Sequence, residues 1–85
     1  MFFPDTHLII SNASQIKNIA EEMNRLNNVN LKNATDNISA VWHGEAANMY
    51  LRHCADTRNE IHTTANELLG IASELDKLAR QFGLA

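Results

Sequence analysis

The chain has one cysteine, one proline and three glycines in 85 residues. A lone cysteine, Cys54, excludes an internal disulfide, so covalent cross-linking cannot support a core this small. Aromatic residues make up 6% and include a single Trp and a single Tyr. Seven Lys and Arg stand against ten Asp and Glu, a net charge of -3, with both signs scattered and no basic block. That distribution argues against nucleic acid as a partner. No apolar run approaches the ~20 residues of a membrane span. The longest early run, Leu8-Ile9-Ile10, is too short for a signal-peptide core, and Met1 to Asp5 lacks a basic stretch before it. The expectation is a chain made in the cytoplasm without a cleavable signal peptide. With so few Gly and Pro there are few places to turn, and no segment alternates as a strand does.

Helical periodicity fills the remainder. From Ala47, every seventh residue is apolar: Ala47, Cys54, Ile61, Leu68, Leu75 and Phe82. Three positions further on run Tyr50, Thr57, Thr64, Ile71 and Leu78. Four further on run Leu51, Arg58, Ala65, Ala72 and Ala79. This stripe is wider than a two-helix seam needs. It predicts one helix over about 45–81, with Glu45 at its positive dipole end, Lys77 and Arg80 at the other, and Gly83 just beyond. In the first half, Ile9, Ala13, Ile16, Ala20, Met23 and Leu26 step by three or four, and so do Leu31, Ala34, Ile38 and Val41. The phase slips between these runs, across Asn27-Asn28-Val29-Asn30, where Asn side chains compete with helix hydrogen bonds. The reading is a helix over about 12–40, loosened near Asn27 to Asn30. Ser11 or Asn12 is its expected N-cap and Asp5 an earlier candidate. Residues 1–8 and 83–85 are expected to be flexible ends.

The only credible break is Val41-Trp42-His43-Gly44. A connection this short gives antiparallel neighbours. Trp42 can close the end of such a hairpin, and Gly44 can adopt backbone angles that a side chain opposes. The fold class expected is all-α. One domain, residues 1–85, forms an antiparallel helix-turn-helix hairpin, turning at 41–44, that pairs with a second hairpin into a four-helix bundle. An isolated hairpin would leave too much of its stripe in water. The residues assigned to the bundle core are Ile16, Ile19, Met23, Leu26, Ile38, Tyr50, Cys54, Ile61, Leu68, Ile71, Leu75, Leu78 and Phe82.

Trp42-His43-Gly44, followed by Glu45-Ala46-Ala47 and then Tyr50, resembles the WXG-motif family of small proteins exported by type VII secretion systems, the early-secreted-antigenic-target-like (Esx) proteins. The resemblance covers nearly the whole chain. It implies a dimeric hairpin secreted as a folded pair through a translocase with an ATPase motor. Trp42 and Gly44 would then contribute to the export signal. The family's tail motif, Tyr-X-X-X-Asp/Glu, has no counterpart in Leu78 to Ala85. That departure shifts weight toward a heterodimer, or toward a targeting partner or chaperone for the helical N-terminal region of a larger secreted toxin. An unrelated helical adaptor is the third reading.

Catalysis is not expected. His7, His43, His53, His62 and Cys54 show no close metal-ligand spacing, and His53 and Cys54 are adjacent and so face different sides of a helix. A nucleophilic role for Cys54 would need a positioned base and a sheltered pocket. Asp56 and Glu60, one turn apart, read as surface charge. No cofactor is expected.

Overall fold

The computed structural model describes residues 5–84. Residues 1–4 and 85 of the expected flexible ends lie outside the described residues. Apart from Asp5 and residues 42–44, everything described is helical. Helix α1 spans Thr6–Arg25 and runs into a π-helical turn, Leu26–Leu31; α2 spans Lys32–Val41 and α3 spans Glu45–Leu84. The 40 residues of α3 account for the 63 Å length of the rod, whose other dimensions are 16 and 14 Å.

The first helix begins six residues before the expected start. Asp5 is the N-cap: its backbone is extended and its Oδ1 accepts from Leu8 N at 3.0 Å. A carboxylate there meets one of the free N–H groups of the first turn and the positive end of the helix dipole. Ser11 and Asn12 therefore lie inside α1, and residues 6–8 are helix where an arm was expected. At the other end, Gly83 does not terminate α3, which continues to Leu84. A side chain at Gly83 would touch Thr6 at 3.7 Å, so the last turn of α3 lies against the first turn of α1, and that packing holds it in the helix.

Small side chains build the seam. Ala13 and Ala20 of α1, and Ala65, Ala72 and Ala79 of α3, are buried, as is Ala47 near the bend. Ala13 and Ala20 are seven residues apart on α1, and Ala65, Ala72 and Ala79 recur at the same spacing on α3, which allows the backbones to approach to about 8 Å. Along this stretch α1 stays in close contact with α3, whereas α2 meets it at few points. The bulk changes where the contact loosens. The α1 line continues from Ala20 to Asn27, and Arg58 and Leu51 continue the alanine column of α3.

Asn27 is the one buried polar residue of the described chain, at 2% exposure. Its Nδ2 donates to the Arg58 carbonyl at 2.9 Å, while its Oδ1 finds no partner. The π-turn starts beside it, where the phase of the sequence slips. A π-turn inserts one extra residue per turn. The inward line therefore continues from Asn27 to Thr35 and then to Trp42, and not to Ala34 and Val41. Burial agrees: Thr35 is the only residue of α2 that is not exposed, and Val41 is 82% exposed.

Candidate interaction surface

The bend comes first, because it fixes how the helices face each other. Trp42 ends α2 with an extended backbone and donates its N–H to the Ile38 carbonyl at 2.9 Å. Gly44 has φ of 111°, and its carbonyl accepts from Asn48 N at 3.0 Å, starting α3. Nothing lies within 4 Å of where a Cβ would sit on Gly44. Glycine is thus required by backbone angle and not by crowding. The Trp42 and Tyr50 rings stack at 5.8 Å and 26°, so the indole covers the first turns of α3 while remaining 42% exposed.

An antiparallel helix pair has an approximate twofold axis normal to its plane. Residues three after each seam position therefore share one face of the hairpin, and residues four after share the other. On the first face stand Ile16 and Met23 of α1 with Ile61, Leu68, Leu75 and Phe82 of α3. Just beyond, six positions after the seam residues, come Ile19 and Leu26 with Ile71 and Leu78. The π-turn keeps α2 in step, since Ile38 lies three after Thr35. On the opposite face, Ile10, Ser14 and Lys17 line a shallow groove with Leu69, Ser73, Asp76 and Arg80. One face of the rod is therefore mainly apolar, interrupted by the exposed Thr57 and Thr64 of α3, and the other is mainly polar.

The thirteen residues assigned to a bundle core all lie outside the buried seam. Ile16, Met23, Cys54, Ile61, Leu68 and Leu75 are half-buried; Ile19, Leu26, Ile38, Tyr50, Ile71, Leu78 and Phe82 are exposed. The structure brings them together as a surface of one chain. The sequence reading did not identify the alanine lines as the inward contact, nor Asn27 as buried. The signal was present in the matched seven-residue spacing of Ala13, Ala20 and Asn27 against Ala65, Ala72 and Ala79.

Ion pairs decorate the exterior. Lys17 pairs with Glu21 at 3.9 Å, Lys32 with Asp36 at 2.7 Å, Arg80 with Asp76 at 2.8 Å, and Arg25 with Glu22. All are exposed pairs one turn apart, a class of small individual value. The Arg25 hydrogen bonds hold the Glu22 carboxyl below its ordinary range, and the partners raise Arg25 and Arg80 in turn.

Among the described residues, no three His, Cys, Asp or Glu side chains converge as a metal site would require. No helix there is long and apolar enough to cross a membrane. Cys54 is a half-buried free thiol beside the apolar face. No protein-family description, curated protein or solved structure matches the chain.

Proposed function

We propose that the protein is a helical pairing module whose apolar face docks a second helical hairpin to complete a four-helix bundle. By the resemblance of its Trp42-His43-Gly44 corner, its role is that of a small type VII secretion substrate. The observation that carries the pairing is the one-sidedness of the surface. Ile71, Leu78 and Phe82 are each about half exposed, on the same face as Ile19 and Leu26. A rod face of 63 by 16 Å offers on the order of 1,000 Å² to a partner, comparable to the ~800 Å² each side contributes to a stable interface. Large apolar side chains clustered on one exposed face mark an interaction site.

A second reading is a targeting partner or chaperone for a larger type VII toxin, in which the exposed Ile71, Leu78 and Phe82 would dock a helical segment of that other chain.

Light scattering on the chain purified from its native cells tests the pairing. A complex of two hairpins is expected, with a mass about twice the 9.5 kDa chain if the partner is of similar size. It should dissociate when Leu78 is replaced by Lys, with helicity retained. A folded monomer from that source would overturn the proposal. Export is tested separately by Trp42→Ala and Gly44→Ser. Lost secretion from a still-folded chain supports the secretion role, and undiminished secretion returns the protein to an unrelated helical adaptor.

A further inference from the structure

The face is apolar, but its border is not neutral. Glu60, Glu67 and Glu74 recur every seventh residue of α3, each two after a seam position (Arg58, Ala65 and Ala72). That places them along the outer edge of the apolar face, next to Ile71 and Leu78. All three are exposed, and none forms an ion pair within the described residues. On the α1 edge the equivalent position after Ala20 is Glu22, whose charge is answered by Arg25.

The cations lie elsewhere. Lys17, Arg25, Lys32 and Arg80 each hold a carboxylate of their own helix. Arg58 sits in the seam with its Nε buried. Arg52 and Lys77 fall one and five positions after seam residues, toward the polar side. Among the described residues, the Lys and Arg without an ion pair are Arg52 and Lys77, toward the polar side, and Arg58, in the seam.

Two copies stacked through this face would bring acid against acid. With α3 on α3, Glu60, Glu67 and Glu74 of one copy meet the same row of the other, because edge residues face each other across an antiparallel helix contact. With α3 on α1, they meet the edge that carries Glu22. Edge charges of this kind set partner choice, and like charges directly opposed are unfavourable.

We infer that the partner docking on this face is a different helical chain, one with Lys or Arg at seven-residue spacing along the edge that meets α3, and not a second copy of this protein. The inference rests on the reading of the apolar face as a docking surface. It adds what that surface selects.

A charge-reversed copy serves as the probe. The variant Glu60→Lys, Glu67→Lys, Glu74→Lys presents the same apolar face with a basic edge. Sedimentation and native mass spectrometry of wild type, variant and their equimolar mixture should show the mixed pair forming at least tenfold more tightly than either pure pair. The advantage should shrink as salt rises from about 0.05 to 1 M, where the screening length falls to about 3 Å. A control, Glu21→Lys, Asp36→Lys, Glu45→Lys, carries the same charge change away from this edge and should show no such preference. If wild type alone pairs as tightly as the mixture at every salt concentration, the inference falls while the docking surface stands. If the control pairs with wild type as well as the edge variant does, the row has no selective role and the inference falls. If every sample stays a helical monomer, both the inference and the docking surface fall.

Discussion

Replacing Asn27 by alanine should stabilise the hairpin, although it removes a hydrogen bond from the only buried polar residue described. The bond lost is Nδ2 to the Arg58 carbonyl at 2.9 Å, worth about 1 kcal/mol net. The carbonyl is not orphaned, because it lies in the interior of α3 and retains its helix bond. The smaller side chain leaves roughly 25 Å³ unfilled, about 0.6 kcal/mol at ~24 cal/mol per Å³. Against these losses, the unpartnered Oδ1 leaves the interior, a relief of about 2 kcal/mol. Alanine also gains about 0.6 kcal/mol of helix preference over asparagine. The balance is about 1 kcal/mol in favour of the alanine variant, or ~4–8 °C in Tm for a domain of this size. Thermal unfolding followed by far-UV circular dichroism measures it. A Tm lowered by several degrees would refute the reasoning, because it would mean that the Asn27 layer holds the helices together. A raised Tm would mean that asparagine costs stability here and serves to set the position of the turn.

Ala72→Leu should lower stability by about 1–3 kcal/mol through overpacking of the closest helix contact, while Ala46→Leu, at an exposed site, should stay within about 0.5 kcal/mol; urea melts distinguish the two. Deleting Asn28 should remove the π insertion and rotate α2 by about 100°. Trp42 then leaves Tyr50, and emission from this sole Trp shifts to the red with helicity retained; unchanged emission would contradict the phase argument. Glu22→Gln should destabilise only where the carboxylate is ionised. The folded-state pKa of Glu22 is lowered by Arg25, so its contribution is complete above the unfolded value of ~4.3 and is lost as pH falls through the lower folded value. The stability difference between wild type and variant, followed by denaturation at stepped pH, should vanish in that acid range; a difference persisting well below it would contradict the assignment.

Chain chemistry alone determined much of this architecture. The 3.6-residue recurrence of apolar side chains, the shortage of Gly and Pro, and the break at Trp42 to Gly44 specify two long helical stretches folded back about a short bend. They specify it because local periodicity and turn chemistry are properties of neighbouring residues. The slip at Asn27 to Asn30 was visible as well, although not its form.

Tertiary structure decided which part of the wide stripe turns inward. On α3 the columns headed by Ala47, Tyr50 and Leu51 all look usable as a seam, and hydrophobicity alone favours the larger residues. The hairpin selects Ala65, Ala72 and Ala79 because Ala13 and Ala20 face them, and matched small side chains permit the closest approach. That is a property of two helices together and is not written in either one. The same choice leaves Ile71, Leu78 and Phe82 outside, buries Asn27, and makes the π-turn the device that keeps Thr35 and Trp42 in line with the seam.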